Sequence, residues 1–394
     1  MVGEGTTVGR RGAQHRCHHE AVAAVAAERD CLVFRDRRLS WAEFTERSRR
    51  LANVVLGAGL GARRPLTEPA GWESGQDHLA LYLLNGSEYL EAMIGAFKAR
   101  VAPVNINYRY VAEELGYVLR DASVRGIVVH SRFTPTLAEV LGDLDDVWLV
   151  LQVPDESGLP LMEGACWYDE ALASATTELP AGLAEAWSGD DLYILYTGGT
   201  TGMPKGVLWR QADFLVAALG VRRRGGGDWG SYEELAEGAR RGTLPCAPFM
   251  HGAAHWNALS AWASGGTVVV QSVVDRLDAA DVWQTCEREQ VTALQIVGDA
   301  FARPLLDELR TGRYELGRLR HLLTGGAVLS PASKAAFVEL LPGVTVVDVL
   351  GSSEAGRQAM QQGTGSGFVP DARSAVLSEG LDRLLGPADD EVGW

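Results

Sequence analysis

The sequence is most informative over residues 192–207, where an apolar run leads into a glycine-rich segment. The residues are Leu192-Tyr193-Ile194-Leu195-Tyr196-Thr197-Gly198-Gly199-Thr200-Thr201-Gly202-Met203-Pro204-Lys205-Gly206-Val207. The first five predict a buried strand, and the rest predict a loop. Glycines let main-chain N–H groups approach an oxyanion, threonine hydroxyls add donors, and lysine adds a positive charge. This composition favours a polyphosphate site over the alternative, a flexible Gly/Thr hairpin.

The lysine in this loop is unusual for the chain. Of 36 basic residues only Lys98, Lys205 and Lys334 are lysine, so composition alone does not explain Lys205. The loop is not the P-loop of kinases and ATPases. That motif needs Gly directly before the lysine and Ser or Thr directly after it, whereas Lys205 lies between Pro204 and Gly206.

Strand and helix patterns alternate on both sides of the loop. Before it, apolar runs predict strands at residues 79–84, 101–106, 126–130 and 147–153. After it, strands are predicted at 267–271, 292–297, 319–324 and 344–350, separated by amphipathic helices at 279–289, 299–309 and 331–341. Alternation of this length predicts parallel sheets that are covered on both faces. The expected fold class is therefore α/β, with two α/β subdomains and a cleft between them.

The remaining segments have simpler interpretations. Residues 1–14 are expected to form a mobile leader, and 222–243 a surface insertion. Ser40 and Glu43 fit a capping box that opens a helix, and residues 57–62 fit the end of that helix better than a dinucleotide fingerprint. After residue 356 the alternation stops, and 369–385 predicts short strands around a turn at 378–380.

Composition excludes several classes of protein. The 394 residues include 46% hydrophobic and 22% charged residues, which is typical of a globular chain. The net charge of −15 disfavours nucleic acid as a partner. No apolar run reaches the roughly 18 residues of a membrane span, so no integral membrane association is expected. Five scattered cysteines favour a reducing, cytoplasmic compartment. The run Cys17-His18-His19 predicts a solvated terminus in preference to a metal site.

Residues 196–207 resemble the signature loop of the adenylate-forming enzymes, the superfamily of acyl-CoA synthetases, firefly luciferase and peptide-synthetase adenylation domains. Further stretches resemble family motifs in order and spacing, namely residues 248–252, 324–327 and 348–356. Residues 81–85, 88–98, 104–110, 209–211 and 298–304 resemble the fatty-acyl-CoA synthetases, particularly those acting on bulky groups such as sterol side chains. The resemblance runs from about residue 20 to the last residue.

The resemblance implies roles for particular residues. Residues 197–205 would hold the ATP phosphates, His251 would lie near the acyl pocket, and Glu354 would hold Mg²⁺. The nucleotide wall would be formed by Gly325, Gly326, Ala327, Gly351, Ser352 and Ser353. Met250, Trp256 and Phe301 are candidates for an acyl tunnel, although aromatic residues at such spacing are as often plain core. Leu350 stands where many relatives have an aromatic residue that stacks on adenine.

The implied fold is the large N-terminal domain of an adenylate-forming enzyme. Residues 15–210 would form the first subdomain, 211–356 the second, and 357–394 an incomplete β-barrel, with the family's small C-terminal domain missing. The implied substrates are a carboxylic acid, ATP and CoA, and an oligomer is possible. Two alternatives remain open: an acyl-AMP ligase that delivers to a carrier protein, and a binding-only relative that holds ATP or acyl-adenylate. A hydrolase is disfavoured because no serine lies in a G-x-S-x-G motif.

Overall fold

The computed structural model describes residues 15–63, 72–198, 202–219, 242–365, 367–370, 374–386 and 389. The predicted leader 1–14 lies outside these residues, and so does most of the predicted insertion. The last two residues of that insertion, Gly242 and Thr243, are the first residues of a strand. None of the helices among the described residues is long and apolar enough to cross a bilayer.

The described residues form helices and strands that alternate along most of the chain. The helices are α1 (His15–Val25), α2 (Trp41–Gly57), α3 (Ser87–Lys98), α4 (Ala112–Asp121), α5 (Thr134–Leu141), α6 (Tyr168–Ser174), the short α7 (Gln211–Asp213), α8 (Gly252–Ala263), α9 (Ala279–Arg288), α10 (Gly298–Thr311) and α11 (Pro331–Leu340), with a 3-10 turn at Ser131–Phe133 and a π-helical turn at Phe214–Ala218. The strands are β1 (Asp30–Phe34), β2 (Arg37–Ser40), β3 (His78–Tyr82), β4 (Ala102–Asn105), β5 (Val124–His130), β6 (Leu149–Val153), β7 (Cys166–Trp167), β8 (Leu192–Thr197), β9 (Lys205–Arg210), β10 (Gly242–Pro245), β11 (Thr267–Val270), β12 (Ala293–Ile296), β13 (His321–Gly325), β14 (Thr345–Ser352), β15 (Gly356–Gln362), β16 (Val369–Pro370), β17 (Val376–Leu377) and β18 (Leu384–Leu385).

The strands form two large sheets, and the predicted mostly parallel α/β fold is confirmed. Seven strands pair in the order β7-β6-β5-β3-β4-β8-β9, and only β9 runs antiparallel to its neighbour. Nine strands pair in the order β16-β15-β14-β13-β12-β10-β11-β1-β2, and the pairs from β14 to β1 are all parallel. A further pair, β17 and β18, forms an antiparallel hairpin.

Both sheets are covered on both faces, because alternate side chains of one strand point to opposite sides. In β3, Leu79 and Leu81 enter one core cluster, whereas Ala80 and Tyr82 enter another. In the nine-stranded sheet, Val268 and Val270 belong to the same cluster as Leu79. That shared core, with helices α2, α3 and α8, lies between the two sheets.

The sheets do not follow the predicted division of the chain at residue 210. β1 pairs in parallel with β11, so the strand at residues 30–34 belongs to the sheet built mainly from the second half of the sequence. No strand is predicted from the sequence at residues 30–34, and a local apolar pattern does not specify a strand's partner. At the other end, β15 and β16 extend the large sheet beyond β14. The described residues contain no closed barrel, and the predicted turn at 378–380 joins β17 to β18.

The start of the described chain differs from expectation. The capping box of α2 is present, with Ser40 Oγ accepting from the Glu43 amide, and α2 ends at Gly57 as predicted. The prediction of a solvated terminus is wrong at His19, which is 3% exposed and packs against the rings of Trp41 and Phe44. Helix α1 is docked on the core, because partners that lie far along the chain bury one of its faces.

Candidate active site

The predicted phosphate loop connects β8 and β9, which form an antiparallel hairpin with Thr197 paired to Lys205. Residues 199–201 of the loop lie outside the described part of the chain. Gly198, Gly202 and Lys205 are exposed. A Cβ added at Gly198 or Gly202 would meet no atom of the described residues within 4 Å, so packing against that part of the chain does not require glycine at either position. Without a side chain, the main chain at both positions is open to close approach.

The predicted nucleotide wall is formed by the carboxyl ends of two adjacent parallel strands. β13 ends at Gly325, which is paired with Val349 of β14. Gly326 has a φ of +82°, a conformation that glycine adopts at no steric cost. A Cβ at Gly351 would lie 2.4 Å from the carbonyl oxygen of Gly356, so the turn after β14 requires glycine there. Gly325, Gly326, Ala327, Gly351, Ser352 and Ser353 therefore lie along one edge of the sheet.

Glu354 lies in the tight turn between β14 and β15. Ser352 Oγ accepts a hydrogen bond from the Ala355 amide at 3.1 Å. The carbonyl oxygen of Ser353 accepts one from Trp209 Nε1 at 2.7 Å. Glu354 itself is exposed. Bonds on either side of Glu354 thus hold the turn, and its side chain is exposed.

The bond from Trp209 connects the Glu354 turn to β9, the strand that follows the predicted phosphate loop. Trp209 and Lys205 both belong to β9, and residues four apart in a strand share a face. They are separated by about 13 Å along the strand. Lys205 therefore lies on the same face of β9 as Trp209. The indole of Trp209 in turn contacts the Glu354 turn, which belongs to the other sheet.

His251 lies just before α8 and its ring reaches solvent. Surrounding protein removes part of the hydration of its charged form, and the Arg109 guanidinium repels that form, so both effects lower the pKa of His251. The preceding Met250 is buried. The expected position of His251 near an acyl group remains a prediction.

The second histidine of this region, His255, is fully buried. Its Nδ1 contacts the Phe249 carbonyl oxygen at 2.6 Å, and its Nε2 contacts the Tyr193 hydroxyl. Desolvation lowers the pKa of His255 to about 4, so the ring is neutral at pH 7. Trp256 Nε1 donates to the same Tyr193 hydroxyl at 2.9 Å. From sequence alone the role of His255 was ambiguous; the structure places it in a hydrogen-bonded core.

The two other lysines of the chain are buried in ion pairs. Lys98 Nζ lies 2.6 Å from Glu20 Oε1, and Lys334 Nζ lies 2.7 Å from Asp348 Oδ2. Asp348 belongs to β14, so the Lys334 pair supports the strand that carries the Glu354 turn. Of the three lysines, only Lys205 presents its charge to solvent. Sequence analysis did not assign the roles of Lys98 and Lys334, since their acidic partners are distant along the chain.

Sequence reasoning also missed two buried asparagines, Asn85 and Asn105. Each lies at or just after the carboxyl end of an apolar strand, and this position was the available signal. Both hydrogen-bond to the segment that precedes His251.

The described residues contain no group of three or more His, Cys, Asp or Glu side chains that could hold a metal ion by themselves. Mg²⁺ in nucleotide sites is often held by one or two carboxylates together with substrate phosphates. The exposed carboxylate of Glu354 fits that mode of binding.

Two sheets that meet in this way form the fold of the large N-terminal domain of adenylate-forming enzymes. The structure aligns with the crystal structure of the anthranilate CoA ligase AuaEII in complex with anthranoyl-AMP at a TM-score of 0.76 and 20% identity, covering 95% of this chain and 67% of that one. The family model described as AMP-binding enzyme matches residues 19–374. The chain therefore belongs to the AMP-binding enzyme family.

Curated relatives are similar over most of this chain. The medium-chain acyl-CoA ligase Mig of Mycobacterium avium is 42% identical over 95% of this chain and 70% of its own length. The 3-oxocholest-4-en-26-oate–CoA ligase of Rhodococcus rhodochrous is 34% identical over 84% of this chain, which matches 58% of that protein. The chain thus spans a little over half to about two thirds of the length of these relatives.

Proposed function

We propose that this chain is the ATP- and acid-binding part of an acid–thiol ligase, which activates a fatty or other bulky carboxylic acid and transfers the acyl group to CoA. The observation that carries the proposal is the hydrogen bond from Trp209 to Ser353, which joins the strand that begins with Lys205 to the Glu354 turn. The acyl-CoA ligases among the relatives support the same reaction class.

The proposed reaction has two steps. In the first, a carboxylate oxygen of the acid forms a bond to the α-phosphorus of ATP, and pyrophosphate leaves with the electrons of the broken P–O bond. In the second, the sulfur of CoA forms a bond to the acyl carbon, AMP leaves, and the thiol proton passes to solvent or a base. The first step builds negative charge on phosphate oxygens, so positioning and charge neutralisation dominate its catalysis.

The residues of this chain divide that work. Main-chain N–H groups and hydroxyls of residues 197–202 would bind the β- and γ-phosphates, and Lys205 would offset their charge. The edge formed by Gly325, Gly326, Ala327, Gly351, Ser352 and Ser353 would hold the nucleoside and its α-phosphate. Glu354 would contribute a carboxylate to Mg²⁺, which when bound neutralises phosphate charge. Exposed Leu350 would contact the adenine by apolar packing.

The proposed compartment is the cytoplasm. Cys31, Cys166, Cys246 and Cys286 are all free thiols, and three of them are buried. These four cysteines therefore form no disulfide with one another, which suits a reducing environment.

Two assays on the 394-residue chain test the proposal. ATP–pyrophosphate exchange is measured first with a panel of medium-chain, long-chain and sterol-side-chain acids. Exchange that depends on the acid supports adenylation, and its absence with every acid, together with failure to bind ATP·Mg²⁺, rejects it. A CoA-dependent thioester assay follows. Adenylation without thioester formation, but with transfer to a carrier-protein thiol, supports the acyl-AMP ligase instead.

A further inference from the structure

Asn105 joins two parts of the candidate site that are distant in sequence, the end of β8 and the segment between β10 and α8. It is the last residue of β4 and is 3% exposed. Its Nδ2 donates to the carbonyl oxygens of Tyr196 at 2.9 Å and Met250 at 2.6 Å, and its Oδ1 accepts from the Tyr196 amide at 2.7 Å. Tyr196 directly precedes Thr197 of the phosphate loop, and Met250 directly precedes His251.

Asn85 makes a similar pair of bonds, but to only one of these segments. Its Nδ2 donates to the Ala247 carbonyl oxygen at 2.9 Å, and its Oδ1 accepts from the Phe249 amide. It follows β3, which lies beside β4 in the same sheet. Both asparagines therefore hold residues 247–250, whereas Asn105 alone also holds the stem of the phosphate loop.

We propose that Asn105 is a positioning residue that couples the ATP-binding loop to the His251 segment, so that the phosphates and the acid are aligned together; this rests on the proposed function. An amide suits the position because it donates through two N–H groups and accepts through one oxygen. Every polar group of the Asn105 side chain is used. Three buried bonds from one short side chain fix the relative position of two main-chain segments.

The coupling role predicts different consequences for the two asparagines. Asn105→Ala leaves the Tyr196 and Met250 main-chain groups without their partner, so both ligand subsites are disturbed. Asn85→Ala removes the same number of side-chain atoms and disturbs only residues 247–249. Asn105→Asp is a second test. It retains the acceptor for the Tyr196 amide but replaces the donor with an oxygen that faces two carbonyl groups.

The experiment measures pyrophosphate exchange in the 394-residue chain, varying ATP and acid separately, with a thermal melt of each variant. We expect both Asn105 variants to raise the KM for ATP and the KM for the acid by about tenfold or more. Asn85→Ala should raise the KM for the acid while the KM for ATP stays within about twofold. Similar losses of melting temperature in Asn105→Ala and Asn85→Ala, together with this split in KM, would separate positioning from general destabilisation.

Two further measurements do not require catalysis. Hydrogen exchange at the Tyr196 amide should increase in Asn105→Ala but not in Asn85→Ala, and ATP·Mg²⁺ affinity should fall only in the former. If the parent binds ATP·Mg²⁺ but shows no pyrophosphate exchange with any acid, the proposed adenylation activity is rejected. Hydrogen exchange and ATP·Mg²⁺ affinity still test the role of Asn105. Unchanged ATP affinity in Asn105→Ala, identical effects of both alanine variants, or failure of both Asn105 variants to fold would each overturn the proposal.

Discussion

The indole Nε1 of Trp209 donates a hydrogen bond to the main-chain carbonyl oxygen of Ser353 at 2.7 Å. Trp209 belongs to the seven-stranded sheet and Ser353 to the turn beyond the last parallel strand of the nine-stranded sheet. This bond fixes the position of the Glu354 turn relative to the strand that begins with Lys205. The consequences of this bond are measurable, because a phenylalanine at position 209 removes the donor and still places an aromatic ring there.

Trp209→Phe should weaken ATP·Mg²⁺ binding several-fold, since a lost hydrogen bond of this kind costs on the order of 1 kcal/mol and the turn loses its anchor. Trp262→Phe is a matched control. Trp262 Nε1 donates to the main-chain carbonyl of Cys31 at 2.9 Å, within the shared core. Isothermal titration with ATP·Mg²⁺ checks the difference. Equal ATP affinities in the two variants would contradict the anchoring role of Trp209.

Lys205→Ala should weaken ATP binding tenfold to hundredfold, because loss of one charge-assisted contact costs on the order of 1.5–3 kcal/mol. Acid binding should change much less. Arg210→Ala is the control, because it removes a positive charge from the other end of the same strand. The Arg210 guanidinium lies 3.2 Å from Asp190. ATP titration of both variants checks the prediction. An unchanged ATP affinity in Lys205→Ala would mean that residues 197–205 do not bind phosphate.

Glu354→Gln should increase the Mg²⁺ concentration needed for half-maximal ATP-induced thermal stabilisation, because the metal requires the negative charge and not only the shape of the side chain. The melting temperature without ligand should barely change, since Glu354 is exposed. Glu339→Gln, at an exposed position of α11, is the control. Superimposable Mg²⁺ titrations of the parent and Glu354→Gln would show that Glu354 does not bind the metal.

His255 should make the protein less stable as the pH falls. Its pKa is lowered from 6.5 to about 4 by burial, so the unfolded chain binds its proton before the folded chain does. The free energy of unfolding is therefore unaffected by this residue above pH 6.5. It decreases as the pH falls from 6.5 to about 4, by on the order of 3 kcal/mol in total.

Urea denaturation between pH 7 and pH 4 checks this effect. His255→Gln cannot titrate, so its free energy of unfolding should depend less steeply on pH than that of the parent. Parallel pH profiles for the two proteins would show that the His255 ring is not held neutral in the fold.

The buried pair of Lys98 and Glu20 should be costly to break on one side. Desolvation lowers the pKa of Lys98 to about 8, although Glu20 opposes this effect. Glu20→Gln would leave the ammonium fully buried, with Arg49 beside it, at a cost of about 3 kcal/mol. The double variant Glu20→Gln/Lys98→Met should recover part of that loss in urea denaturation. A double variant less stable than Glu20→Gln would contradict the argument.

Much of the fold was predictable because helices and strands leave local patterns in the sequence. The strands that alternate with helices from residue 267 onward match the predicted ones to within a few residues, and so does the Ser40–Glu43 capping box. The glycines between β8 and β9, with Lys205 at the start of β9, similarly marked the loop, since their composition suits phosphate.

Sequence by itself therefore determined the class of fold, the loop and the family of the chain. Only the tertiary structure decided that β1 joins β11, that Lys98 and Lys334 are buried in ion pairs, and that Asn105 bridges β8 and the segment before α8. The reason is physical. A local pattern reports how a residue alternates with its neighbours, whereas a strand's partner, a buried charge's counter-ion and an amide's acceptors are selected by segments that meet only when the chain folds.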